Sequence, residues 1–243
     1  MSDAAVGSGS DIEIRDIVVK NYTSNGLMLN HARNVTYRNL ECHNTGLYGI
    51  YPVECVGVII EDCLVTGTSD AGIYVGQSKD IIVRGNIAHG NVTGIEIENS
   101  VNALVENNEV YNNTGGILVF LLPNNPSKVS INCKVVGNYI HDNNHENFAD
   151  PTAIVSKVPS GTGILIMAGD EVEVTENKIV NNNSEIINEY DNIFIDCPPS
   201  LSLLTIMALV ASGELLVPLQ TEFFALEGIT QLVKTIDRIK VNL

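Results

Sequence analysis

The feature that most constrains this chain is a spacing. Glycines fall at Gly26, Gly49, Gly72, Gly94 and Gly116, at intervals of 23, 23, 22 and 22 residues, and again at Gly163 after an interruption. Each opens a short alternating apolar run, followed by a polar corner, a second alternating run, a tight turn and a third short run. The clearest copies read GIYVGQSKDIIVRGNIAHGN and GIEIENSVNALVENNEVYNN. The second run opens at Ile12, Val35, Val58, Ile81, Ala103, Cys133 and Val172, and five residues further on stand Ile17, Leu40, Cys63, Asn86, Asn108, Asn138 and Asn177. A unit this short cannot bury its apolar face alone and must stack on its neighbours. The pattern predicts a mainly β chain, a parallel β-solenoid of about seven coils over residues 11–184.

Alternate residues of a strand share one side. Leu27, Ile50, Ile73, Ile95, Ile117 and Ile164 therefore form one inward column, and Leu29, Pro52, Val75, Ile97, Val119 and Ile166 another. Coils stack about 4.8 Å apart, so Asn86, Asn108, Asn138 and Asn177 are expected to hydrogen-bond from coil to coil, which offsets the cost of burying their amides. A second set, Asn91, Asn113, Asn143 and Asn182, is expected in turns, where Asn tolerates the left-handed conformation. Cys42, Cys63 and Cys133 fall on inward columns and are expected to be buried free thiols rather than disulfides.

These strings resemble the right-handed parallel β-helix repeat proteins, the pectin-lyase-like superfamily in its NosD-type branch. The resemblance rests on the copies above together with GTGILIMAGDEVEVTENKIVNN and covers about residues 11–183. It implies the fold, a right-handed parallel β-helix. It does not fix an activity, because such folds carry lyases, hydrolases, epimerases and plain scaffolds.

Outward columns hold the candidate site. One reads Met28, Tyr51, Tyr74, Glu96, Leu118, Leu165, and the next reads Asn30, Val53, Gly76, Glu98, Phe120, Met167. Tyr51, Tyr74 and Phe120 offer ring faces to sugar C–H surfaces, and Glu96 and Glu98 offer acceptors to sugar hydroxyls. This is the chemistry of a polysaccharide contact. The bland alternative is a sheet face partly covered by insertions, with Glu96 and Glu98 merely solvated. Two carboxylates at that spacing also suit a glycan hydrolase, lyase or epimerase, or Ca²⁺. No catalytic residue is assigned, and no cofactor is expected beyond that calcium alternative. Two insertions, around LLPNNPSKVS and HENFADPTAIVSKVPSG, break the period on neighbouring coils and are expected to wall one side of a groove.

Other titratable groups read as structural. Arg15, Arg38, Glu61, Arg84 and Glu106 would line up as an ion-pair column, with Arg84 as a lyase base the less favoured reading. His141, Asp142, His145, Glu146 and Asp150 cluster near the longer insertion, and metal binding there would need a helix that the Asn residues discourage. His31, His43 and His89 are expected to stand alone at corners or on the surface.

The net charge of −16 speaks against nucleic acid and anionic membrane as partners. No run is long enough to span a membrane, and MSDAAVGSGSD is not a signal peptide. It enters the repeat at once, as an internal start would.

Near residue 184 the composition changes: Asn occurs 25 times before that point and three times after it. Over 189–243 the pattern is strand–helix–strand–helix, a small α/β tail. IFIDCPPS and FFALEG there resemble ParA/Soj-type partition ATPases. The resemblance implies that Asp196 occupies the Walker B position. No GxxxxGK[ST] or other Gly-rich lysine loop occurs in the sequence, so Asp196 would have no phosphate cradle to serve and ATP hydrolysis is not expected. The two resemblances imply different compartments, one exported and one cytoplasmic. The pairing reads as a chimeric join of two coding fragments, with the apolar tail a candidate cap for the last coil.

Overall fold

The alternation in each repeat becomes one strand in each of three parallel sheets. The computed structural model describes residues 5–7 and 9–182. Each sheet contains seven strands in sequence-skipping order, so every strand pairs with its counterparts one repeat before and after it. The first sheet runs from Ala5–Gly7 through Ala71–Gly76, Thr93–Glu98 and Gly115–Phe120 to Thr162–Met167. The second runs from Ser10–Arg15 to Glu173–Thr175, and the third from Val18–Tyr22 to Lys178–Val180. Strand Ala5–Gly7 lies ahead of the start expected at residue 11. The one helical element among the described residues is a 3₁₀ turn, Ile154–Lys157. The expected α/β tail over 189–243, with Asp196, lies outside the described residues.

The interior is filled by the inward columns. Ile50, Ile73, Ile95 and Ile117 are fully buried, as are Val75, Ile97 and Val119. Each large aliphatic removed from water in this way contributes on the order of 1.5–3 kcal/mol. The glycine column marks where these side chains crowd the corner: a Cβ on Gly94 would stand 2.3 Å from Val110 Cγ1. Four buried cysteines, Cys42, Cys55, Cys63 and Cys133, are free thiols packed in the same interior. Burial pushes Cys42 and Cys63 up to about 12, which keeps them protonated.

The Asn86 column is continuous. Asn86 Nδ2 donates to Asn108 Oδ1 at 2.9 Å, Asn108 Nδ2 to Asn138 Oδ1 at 2.9 Å, and Asn138 Nδ2 to Asn177 Oδ1 at 2.8 Å. The same oxygens accept the backbone N–H of the preceding coil's asparagine. The second set of asparagines differs from expectation. Asn91, Asn113 and Asn143 are fully buried and, with Asn182, build a second ladder of the same kind. The left-handed residues are their immediate predecessors, Gly90, Asn112, Asp142 and Asn181, at φ of 66, 52, 53 and 55°. The turn therefore sits one residue earlier, and its effect is to aim the next side chain inward.

The charge column is partly formed. Glu61, nearly buried, accepts from Arg38 Nη2 at 2.6 Å and Arg84 Nη2 at 2.7 Å, while Arg15 pairs with Glu13 and Asp16 of its own coil. This places Arg84 on the second sheet, engaged with Glu61, and away from the tyrosines and glutamates of the first.

Both insertions border the first sheet, at opposite ends of its strands. Residues 121–130 leave from the end of Gly115–Phe120, and residues 142–161 precede Thr162–Met167. They approach from two sides rather than walling one. Asn99 secures the shorter one, accepting from Leu122 N–H and donating to the Leu122 and Ser127 carbonyls. The longer one carries its own small core of Val92, Ala149 and Val155, and Asn147 Nδ2 donates to the Val155 and Val158 carbonyls.

Candidate functional site

Over the first sheet the insertions enclose a cavity of about 320 Å³. Its floor is the pair of outward columns. Parallel register sets Tyr74 beside Glu96, Glu96 beside Leu118, and Leu118 beside Leu165, with Gly76, Glu98, Phe120 and Met167 alongside. Its roof is the 3₁₀ turn, through Ile154, Val155, Lys157 and Val158. Tyr74, Glu96, Glu98 and Phe120 are 6, 3, 5 and 7 % exposed. The solvated reading of the two glutamates is thereby corrected: they point away from the coil interior but lie under the insertions.

The polar end is tightly connected. Tyr74 Oη donates to Glu98 Oε2 at 2.6 Å, Asn125 Nδ2 reaches over from the shorter insertion to Glu98 Oε1, and Thr93 Oγ1 donates to Glu96 Oε1 at 2.7 Å. A third carboxylate, Asp70, lies beside Tyr48 in the same wall. Burial, followed by the charge of Asp70, holds Glu96 well above the ordinary carboxylate range. Burial also raises Glu98, and burial together with the charge of Glu98 brings Asp70 up to about 6. The donors facing these carboxyls are neutral hydroxyls and an amide, and among the described residues Lys157 is the one cation lining the cavity. The set thus places carboxyls raised to different extents beside tyrosine hydroxyls. It can both donate to and accept from a hydroxylated ligand.

Tyr51 stands apart from this set. It is half-buried, is not a lining residue, and packs against Tyr48 and Tyr74 with ring centroids 4.6 and 5.0 Å away. The tyrosine rings face one another rather than forming the open platform that the column suggested.

Tyr48 and Asp70 were not legible from the strand columns because they sit at a corner. Between the ladder position and the glycine, the longer coils carry three residues (46–48 and 69–71) and the shorter ones two (92–93 and 114–115). Tyr48 and Asp70 belong to the longer corners, so the change of period from 23 to 22 was the signal that could have located them.

The histidines are not isolated. Coil stacking puts His89 on Tyr111 and Tyr111 on His141, with centroids 4.9 and 5.0 Å apart, on the third sheet. His141 also contacts Asp142 and Glu109, His31 contacts Glu54 and His43 contacts Glu41. A search by sequence spacing alone overlooks contacts made one coil away.

Two families match. Residues 2–156 match the family described as periplasmic copper-binding protein (NosD), and residues 90–243 match the AAA domain family. The chain belongs to both families. In the shared stretch, 90–156, the described backbone is solenoid, with strands such as Thr93–Glu98 and Val101–Glu106 in the parallel sheets. Similar proteins include the chromosome-partitioning ATPase Soj of Treponema pallidum, 40% identical over 41% of this chain and 37% of that protein. The chromosome partitioning protein ParA of Myxococcus xanthus is 60% identical over 23% of this chain and 19% of its own length. The chain spans between 19% and 37% of the curated relatives named here. Among solved structures, the A-module of a mannuronan C-5 epimerase from Azotobacter vinelandii aligns at TM-score 0.43 and 18% identity, over 71% of this chain and 60% of that one.

The copper in the NosD description and the calcium considered for the glutamates share a requirement for converging donors. Among the described residues no group of three or more His, Cys, Asp or Glu side chains is placed to hold a metal ion. The four described thiols are buried in the coil interior, and His31, His43, His89 and His141 lie in stacks or ion pairs. The donors among the described residues do not fit either ion. No helix among the described residues is long and apolar enough to cross a membrane.

Proposed function

We propose that the NosD-type part of this chain is a carbohydrate-binding β-helix module, and that its sugar site is the roofed cavity over the first sheet. The observation that carries this reading is the Tyr74–Glu98 hydrogen bond at 2.6 Å in the wall of a 320 Å³ cavity that also holds Glu96, Asp70 and Tyr48. Sugar hydroxyls exchange readily into such pairs, because each accepts one hydrogen bond and donates another. The cavity admits the end or a side residue of a glycan rather than a chain lying along an open groove. Three neighbouring carboxyls make it a poor host for uronates. The AAA-domain part contributes no nucleotide hydrolysis in this reading, since the sequence lacks a phosphate-binding loop for Asp196 to complement.

The chain has no Trp and eight Tyr, so tyrosine emission can report on the site. Titration with neutral oligosaccharides should change that emission saturably, and uronate oligosaccharides should not. Glu98→Gln and Tyr74→Phe should each weaken binding about 10-fold or more, by loss of hydrogen bonds to a charged or buried partner. Silence across the neutral set would remove the reading.

A second reading is acid–base chemistry on the bound glycan, favoured by Asp70 at about 6 next to a more strongly raised Glu96. Carboxyls whose environments push their protonation apart are the usual source of paired acid and base roles. Release of a chromogenic aglycone with a rate maximum near pH 6 would support it, and a flat blank-level rate would dismiss it.

A further inference from the structure

The cavity changes character along the solenoid axis. On the N-terminal side its wall is Tyr48, Asp70, Tyr74, Glu96 and Glu98. One coil later the same columns read Leu118 and Phe120, and one further Leu165 and Met167. Strands are about 4.8 Å apart, so the change from carboxyl to hydrocarbon takes one strand spacing. The roof over this cavity is largely apolar, with Ile154, Val155 and Val158.

Two of these apolar residues are open to water. Met167 is 45% exposed and Ile154 is 64% exposed. The floor beneath them is well packed, with Leu118 at 3% and Phe120 at 7%, so the exposed pair is not a sign of a poorly filled core. A purely hydroxylated ligand would occupy the carboxyl end and leave the hydrocarbon end wet. A ligand with an apolar group attached to its sugar would cover both.

We infer that the cavity takes a glycoside with an alkyl or aryl aglycone, its uncharged sugar on the Tyr74–Glu98 side and its apolar group on Leu118, Phe120, Leu165 and Met167. This rests on the sugar-site reading above and adds the non-sugar half of the ligand. The polar end supplies orientation through directional hydrogen bonds. The apolar end supplies affinity in proportion to the area it covers.

The test is a calorimetric series on the full chain with methyl, hexyl and octyl glycosides of glucose, galactose and mannose, all kept below their micellar concentrations. Affinity should rise by up to about fourfold per methylene covered, so the octyl glycoside of the preferred sugar should bind at least about 100-fold tighter than its methyl counterpart. Met167→Gln and Ile154→Ser, both at exposed positions, should flatten that rise. Equal binding of methyl and octyl glycosides, or an octyl advantage untouched by both substitutions, overturns the aglycone inference and leaves the sugar site standing. Octanol binding as well as octyl glycoside, with no methyl glycoside binding, overturns the sugar site. Binding by none of the series overturns both.

Discussion

The asparagine ladders and the carboxyl–tyrosine cluster both bury polar groups among stacked coils, but they resolve the burial differently. In the ladder the residue type repeats, and each asparagine's donors and acceptors meet those of the next coil. Asn108 accepts from Asn86 N–H and Nδ2 and donates to Val83 O and Asn138 Oδ1. In the cluster the residue type changes from Tyr74 to Glu96 to Leu118, no cation among the described residues faces the carboxyls at hydrogen-bond distance, and burial raises their protonation. A repeating fold therefore spends identical residues on architecture and reserves non-identical ones for a site. The second kind is held at some cost, which a ligand can relieve.

The largest effect should come from breaking the first region. Asn108→Leu would strand groups on both neighbouring coils and should destabilise by about 3–6 kcal/mol, at roughly 1–3 kcal/mol per buried group left unpaired. Asn86→Leu should cost somewhat less, because its oxygen accepts from the Cys63 N–H but, with Cys63 in place of an asparagine, from no side-chain amide of that coil. Urea unfolding followed by circular dichroism compares the two, and equal losses would mean that the ladder is not cooperative along its length.

The cluster should respond in the opposite direction. Glu96→Gln removes the carboxyl that is buried deepest and should stabilise the chain at neutral pH. The sign follows from Glu96 itself, whose carboxyl burial and the charge of Asp70 hold well above the ordinary 4.5. As pH rises from that ordinary value towards the raised one, the folded state keeps a proton that the unfolded state releases, so stability falls through the interval and stays low above it. The variant should match the parent near pH 4 and melt a few degrees higher at pH 7.5, at about 2–4 °C per kcal/mol for a chain of this size. A constant difference across pH would place the effect in packing rather than ionisation.

A smaller change should sharpen the contrast further. A Cβ on Gly76 would meet Tyr74 Cε1 at 2.5 Å, so Gly76→Ala must turn the ring that holds Glu98. The cost in stability should be about 1–3 kcal/mol, and neutral-sugar binding measured by tyrosine emission should fall. Unaltered binding would detach Tyr74 from the site.

The solenoid was legible because its constraint is periodic. Ile73, Ile95 and Ile117 repeat at nearly fixed intervals, and every coil restates the pattern. The first asparagine ladder was legible for the same reason. The second was misread because its left-handed neighbour, such as Asn112 before Asn113, is often asparagine too, and composition cannot distinguish the two. The floor of the cavity could be listed from the outward columns, but its enclosure could not. Whether Glu96 and Glu98 are wet or dry depends on where residues 121–130 and 142–161 fold back, and insertions have no period to read. Asp70 and Asn125 reach the site from a corner and a loop, where spacing carries no phase information.

The unequal corners have a consequence for how such a protein can change. The interior columns fix what each strand must be, yet a corner accepts one residue more or less while the sheets on either side remain in register. Asp70 and Tyr48 occur in the longer version of the same corner. A lineage built this way can alter its ligand by adding or deleting a codon at a bend, with no renegotiation of its core, so that sequence length becomes a heritable variable of specificity.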